Sequence, residues 1–201
     1  MQARSSESSW FSIKTILGIN VFGRRAGEYA ARRAFEVGRP NVDWRKIENE
    51  YKRVYGILER TPRKPIRVHE VRHRLQKMMW EKAGPLKSGQ DLKLALKQLI
   101  KMRRDELARM HVISKSRIYN IEWMEALETY NMFDTAELML NASFLRKESR
   151  GSYLREDYPQ IDNVNWLKNI HIKKTKGKKK VWKAPLKVAE VTPEQIRTRS
   201  M

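Results

Sequence analysis

Cysteine is missing from all 201 residues. This chain can therefore form no disulfide, no thiolate zinc site and no iron–sulfur ligation of its own. Long apolar runs are missing as well. No stretch of about 18 apolar residues occurs, which leaves no segment suited to spanning a bilayer as a helix. No G-x-G-x-x-G turn is present to cradle a dinucleotide phosphate, and no G-x-S-x-G elbow to carry a nucleophilic serine. The opening "MQARSSESSWFSIK" is rich in Ser and Arg. It also carries Glu7 and lacks the apolar centre of a secretory signal.

Acidic residues are the next shortage. Lys and Arg total 43 against 23 Asp and Glu, giving a net charge of +20 and a pI near 10.3. With 40% hydrophobic and 33% charged residues, the composition is that of a folded, helix-rich protein rather than a disordered one. Such a charge raises nucleic-acid binding, or docking on an acidic partner, as one function class. The cations are spread along every helical segment, however, and only "KKTKGKKKVWK" (Lys173 to Lys183) is a true cluster.

Apolar residues at three- and four-residue steps predict five helices. The first runs from Ile13 to Val37. Its stripe of Ile16, Ile19, Phe22, Gly23, Ala26, Gly27 and Ala30 is small enough for a second backbone to approach, so this helix is expected to be buried. Gly38 and Pro40 end it. The second follows Asn41 or Asp43 as cap and aligns Trp44, Ile47, Tyr51, Val54 and Leu58. The third, from about Arg67 to Lys82, turns Val68, Val71, Leu75, Met78 and Met79 inward. The fourth, from about Asp91 to Met110, does so with Leu92, Leu96, Leu99, Ile100 and Leu107. The fifth, from about Ile121 to Lys147, is the longest. Behind it lies a polar box, "ESRGSYLREDYP" (Glu148 to Pro159), with no period of its own. The period then becomes two: "WLKNIHIKK" (Trp166 to Lys174) and "KKVWKAPLKV" (Lys179 to Val188) read as a β-hairpin.

His69-Glu70-Val71-Arg72-His73 fits the spacing of a zinc-binding helix, in which two imidazoles share a face beside a carboxylate. Arg72 and Arg74 crowd that place with positive charge, and two solvent-facing histidines are the reading it favours. Glu125, Glu128 and Glu137 read as a solvated face rather than an acid/base pair. From the residues alone, the chain is a basic helical domain without a complete catalytic site.

The polar box adds a family. "ESRGSYLREDYPQIDNVNWL" resembles the C-terminal signature of the succinate dehydrogenase/fumarate reductase flavoprotein subunit, E-S-R-G-A-H-Y-R-E-D-Y-P followed by D-D-x-x-W-L. Glu148, Ser149, Arg150, Gly151, Arg155, Glu156, Asp157, Tyr158, Pro159, Asp162, Trp166 and Leu167 match; Ser152, Tyr153 and Leu154 depart. "FGRRAGEYAA" (Phe22 to Ala31) is similar to the segment that closes the family's FAD-binding domain. "LQKMMWEKAGPLKSGQDLKLAL" is similar to its L-Q-x-x-M-W-x-x-x-G helix. Adenylylsulfate reductase and L-aspartate oxidase flavoproteins are related.

The resemblance implies a mainly α fold: a buried helix of the FAD domain, an antiparallel helical bundle and a C-terminal β-hairpin. It divides the chain into 1–40, the last FAD-domain helix; 41–148, the helical bundle; and 149–201, the polar loop, hairpin and basic tail. The dicarboxylate-gripping arginine of the family's R-L-G-G-N-S-L-L box falls at Trp10, and only Thr15 and Ile16 fall on the pair that borders the flavin. In the family that border is the start of a helix, whose positive end faces the flavin. FAD is thus implied for the intact enzyme and not for this chain alone. The implied partners are the flavin-domain portion of the same enzyme and an iron–sulfur subunit. The implied location is cytoplasmic, at the inner face of the membrane through those partners. No catalytic residue and no metal ligand is implied here. Arg150, Gly151, Arg155, Asp157 and Tyr158 take structural and docking roles.

Overall fold

The computed structural model describes residues 4–39, 41–175 and 178–185; within these, the side chains of 4–15, 174 and 178 are not described. Two compact units divide the chain, Met1–Asn49 and Glu50–Met201.

In the first unit α1 (Arg4–Val37) is a single helix ended by Gly38, whose φ of +65° is the left-handed conformation that glycine adopts at no cost. Ion pairs at helical spacing run along its surface, Arg24 to Glu28 and Arg33 to Glu36. The expected burial of this helix is not met. Ile16, Ile19 and Phe22 are 58%, 67% and 68% exposed. A Cβ built on Gly23 or Gly27 meets nothing within 4 Å. The stripe of small and apolar residues is present, and it is exposed.

Helix α2 (Trp44–Glu59) begins behind Asp43, whose carboxylate accepts from the Arg45 N–H. The apolar face expected here is only half used. Ile57 and Leu58, at its end, are buried, whereas Trp44, Ile47 and Tyr51 are exposed.

The core of the second unit is built by α3 (Val68–Ala83), α4 (Gly89–Asp105) and α5 (Ile121–Leu145), which pack on one another. Val68, Val71, Leu75 and Met78 from α3 meet Leu92, Ala95, Leu99 and Met102 from α4. Ala126, Phe133, Ala136 and Leu140 of α5 close the cluster. Ile100, expected inward, is exposed, and Leu96 is only partly buried. Helix α4 stops at Asp105, and a 3-10 turn (Leu107–Arg109) carries Leu107 back into the core.

Three small sheets tie these helices. β1 (Ile66–Arg67) pairs in parallel with β3 (Met110–His111), and β2 (Leu86–Lys87) pairs in parallel with β4 (Leu154–Arg155). A short α6 (Asn163–Trp166) leads into β5 (Lys168–Thr175), which pairs antiparallel with β6 (Lys178–Pro185) from Lys168 opposite Pro185 to Thr175 opposite Lys178. The hairpin expected from the two-residue period is therefore present. Its expected extension to Val188 and the basic tail lie outside the described residues. A mainly α fold with a C-terminal β-hairpin stands.

Candidate functional site

The polar box folds around the end of α5, and the need for it arises there. A helix leaves its last carbonyls without intrahelical donors, and inside a protein those oxygens must be met by other groups. The Ser143 carbonyl accepts from the Tyr153 hydroxyl at 2.6 Å and from Arg155 Nη1 at 2.9 Å; the Arg146 carbonyl accepts from Arg155 Nη1 at 2.8 Å. A guanidinium at this end also suits the negative pole of the helix. Arg155 is 2% exposed. Its other edge forms a two-bond fork with Asp157, Nε to Oδ1 at 2.7 Å and Nη2 to Oδ2 at 2.6 Å. That fork raises the guanidinium pKa and outweighs the opposing effect of burial.

Asp157 passes the connection on to α4. Its Oδ2 accepts from the Gly89 backbone N–H at 3.1 Å, at the positive end of that helix. The Arg155 hydrogen bond lowers the Asp157 pKa most, against the opposing effect of burial, and the Gly89 bond adds to it. Ser88 caps the same helix, its hydroxyl accepting from the Asp91 N–H. The approach is close: a Cβ on Gly89 would stand 2.7 Å from Asp157 Oδ2 and 2.9 Å from Arg155 Nη2. Glycine is needed there for space.

Glu148 is the second centre, with a relative exposure of 0%. Arg150 donates to both its oxygens at 3.0 and 2.9 Å, Arg146 Nη1 donates to Oε1, and the Asp162 N–H donates to Oε2 at 3.0 Å. Burial alone would push this carboxyl up. The Arg150 hydrogen bonds, the Asp162 N–H and the neighbouring positive charges together hold it below its ordinary value. Arg146 continues to the Lys168 carbonyl at 2.7 Å and so links the end of α5 to β5. Arg150 also reaches Asn163 Oδ1 at 2.7 Å.

Backbone bonds close the turn. Arg150 and Tyr153 exchange N–H···O=C bonds at 2.8 and 3.0 Å across Gly151, whose φ is +57°. The Ser149 hydroxyl donates to the Tyr158 carbonyl at 2.9 Å and accepts from the Arg155 N–H at 2.8 Å. The Tyr158 ring lies 5.1 Å from the Arg155 guanidinium. Lys87, buried beside the box, donates to the Pro85 carbonyl and sits 4.4 Å from the Tyr153 ring. Burial, then the Arg155 charge, lowers its pKa.

Arg150, Gly151, Arg155, Asp157 and Tyr158 are thus brought together in one network. Thr15 and Ile16 lie in α1, in the first unit. They stand 11 and 12 residues inside α1, so their N–H groups belong to the helical ladder and not to a helix end. This corrects the expectation of a helix start at that point. Ile16 is exposed, and the Thr15 side chain is outside the described set.

The centre of the network, Glu148, matches the family signature, yet the sequence reading does not single it out as a site residue. The arginines two positions to either side are the available signal. Gly89 gives none, because its role depends on a segment 68 residues away, and Tyr153 departs from the signature. His69 and His73 are exposed, and no group of three metal-ligating side chains exists among the described residues. An apolar groove of about 920 Å³ runs between α3 and α5, lined by Leu75, Met79, Trp80, Met132 and Met139. Arg72 and Glu128 are paired at its edge at 2.7 Å.

Comparison with known proteins gives the family. Residues 72–200 match the family described as fumarate reductase flavoprotein C-term. One subunit of the CoM/CoB fumarate reductase of Methanothermobacter marburgensis is 34% identical over 150 residues, 75% of this chain and 26% of that protein. The fumarate reductase flavoprotein subunit of Haemophilus influenzae is 28% identical over 176 residues, 86% of this chain and 29% of that protein. Among solved structures, the Mycobacterium smegmatis Sdh1 complex superposes with a TM-score of 0.78 at 25% identity, over 89% of this chain and 32% of that one. Adenylylsulfate reductase of Archaeoglobus fulgidus gives 0.72 at 26%, over 85% and 29%. The chain spans only about a quarter to a third of the length of these relatives. The nucleic-acid alternative finds no support among them. By its matched residues and its fold, the chain belongs to the C-terminal domain family of succinate dehydrogenase/fumarate reductase flavoproteins.

Proposed function

We propose that this chain is the structural and docking portion of an FAD-dependent oxidoreductase that interconverts a dicarboxylate pair such as succinate and fumarate. The match of residues 72–200 to the flavoprotein C-terminal family carries this reading. Residues 1–40 then contribute the last helix of the FAD domain, 41–148 the helical bundle, and 149–201 the polar loop, hairpin and tail. In the assembled enzyme a bound flavin would supply the hydride chemistry between the two dicarboxylates. This chain supplies no clamp for the substrate, since Trp10 stands where the family's arginine grips a carboxyl group.

Two surfaces meet the rest of the enzyme in this reading. Helix α1, with its exposed Ile16, Ile19 and Phe22, lies against the flavin-domain portion. Thr15 and Ile16 border the cofactor, and any backbone N–H contact to it requires α1 to open just before Thr15. The box of Arg150, Gly151, Arg155, Asp157 and Tyr158 holds the end of α5 and the start of α4 in the shape that the flavin-domain portion and an iron–sulfur subunit recognise. Attachment to the inner face of a membrane comes through those partners.

The test is co-purification with a separately expressed flavin-domain portion of the same enzyme type. The two should co-elute, and Glu148→Gln should weaken the association. Absence of any association, with both parts folded by circular dichroism, would sink the docking role.

A further inference from the structure

The β5–β6 hairpin has two unlike faces. Register places Ile170 opposite Lys183 and Ile172 opposite Val181 on one face, which Lys179 shares. That face turns toward α5: Ile170 lines a small hollow together with Ala142 and Ser143, and Lys179 pairs with Glu137 at 2.9 Å. The other face carries the pairs Asn169/Ala184, His171/Trp182 and Lys173/Lys180. There the His171 and Trp182 rings stack with centroids 5.2 Å apart and 13° between planes. Asn169, His171, Lys173, Lys180 and Trp182 are exposed.

Lys173 and Lys180 stand directly across the ladder from each other, an arrangement that like charges make unfavourable. Among the described residues no carboxylate pairs with either. Residues 168–185 contain eight lysines and not one Asp, Glu or Arg. The absence of arginine is informative. Where this chain fixes a carboxylate in a set geometry it uses Arg forks, as in Arg155 to Asp157, Arg150 to Glu148 and Arg53 to Glu50. A guanidinium fork suits two oxygens held in place, whereas an ammonium is a point charge that serves a diffuse field. A laterally fluid sheet of anionic headgroups is such a field, and Trp between lysines is the pairing favoured at the lipid–water boundary. No described helix is long and apolar enough to cross a membrane, so contact of this kind stays on the surface.

We propose that the outer face of the β5–β6 hairpin docks directly on an anionic lipid bilayer, with Lys173 and Lys180 over phosphate headgroups and Trp182 at headgroup depth. This goes beyond attachment through partner subunits, and it does not depend on the oxidoreductase reading.

The experiment is co-sedimentation of the full chain with vesicles of phosphatidylcholine alone and of phosphatidylcholine mixed with phosphatidylglycerol. The chain should sediment with the mixed vesicles only, and about 0.5 M salt, where screening acts within a few ångströms, should release it. Lys173→Gln/Lys180→Gln should lower the partition about 25-fold, at roughly fivefold per lysine, while circular dichroism stays unchanged. Trp182→Ala should lower it severalfold at every salt concentration. Equal sedimentation with neutral vesicles, no sedimentation with anionic ones, or full binding by a folded double variant would overturn the proposal. Tighter retention on a single-stranded oligonucleotide than on anionic vesicles would also overturn it, assigning the face to nucleic acid.

Discussion

Glu148 is a carboxylate with no access to water, held by two guanidinium groups and a backbone N–H. Glu148→Gln keeps the shape and removes the charge, leaving Arg146 and Arg150 facing a neutral amide. The cost at neutral pH should be about 2–3 kcal/mol. It falls short of that of an orphaned buried charge because both arginines are partly solvated. The carboxyl is held below its ordinary value, so its stabilisation is complete above the unfolded pKa and is lost as pH falls through the folded one. Denaturant titrations over pH 2–7 (a span chosen around the ordinary carboxylate range of roughly 4) should show a variant that is weaker at pH 7 and flatter on the acid side. Parallel curves for variant and parent would remove Glu148 from the centre of the network. At Gly151 the demand is on the backbone alone, because a Cβ there meets nothing within 4 Å while φ is +57°. Gly151→Ala should therefore cost about 1 kcal/mol and Gly151→Asn less, since Asn tolerates the left-handed region. Equal stabilities by chemical denaturation would mean that the turn relaxes to another shape.

At the scale of elements, the helices and the hairpin were legible because each repeats a period over many residues. Val68, Val71, Leu75 and Met78 recur at helical steps, and all four are buried. The two-residue parallel pairs β1–β3 and β2–β4 were not legible, for two residues carry no period. Nor could the sequence show that the Arg155–Asp157 fork reaches α4, since Gly89 lies 68 residues from Asp157. That junction gives its own prediction. Gly89→Ala adds one methyl group where Asp157 Oδ2 and Arg155 Nη2 already stand, and the bond from the Gly89 N–H must lengthen. The substitution would raise helix propensity at an ordinary position. Here it should instead destabilise by about 1–2 kcal/mol and speed hydrogen exchange at the start of α4 and the end of α5 together. A stabilised variant would show that the two helix ends are not coupled through the box.

At the scale of the molecule, the stripe on α1 has the make-up of a surface for close packing, yet its large apolar side chains are exposed. Composition and spacing show which face of a helix seeks a partner; they do not show whether that partner is in the same polypeptide. Ile16, Leu17, Ile19 and Phe22 are exposed over two turns, and Trp80 and Met139 stand exposed on the second unit. Surface of this kind commonly marks an interaction site. The polar box, by contrast, has its buried charges met from within, as Glu148 and Arg155 show. Both features suit a portion that supports a flavin enzyme rather than one that holds the flavin. The most direct test is the FAD-to-protein ratio, read from visible absorbance, of the chain purified alone and after co-expression with the flavin-domain portion. The account predicts no bound flavin alone and FAD retained in a co-eluting complex. Stoichiometric FAD on the isolated, folded chain would contradict it.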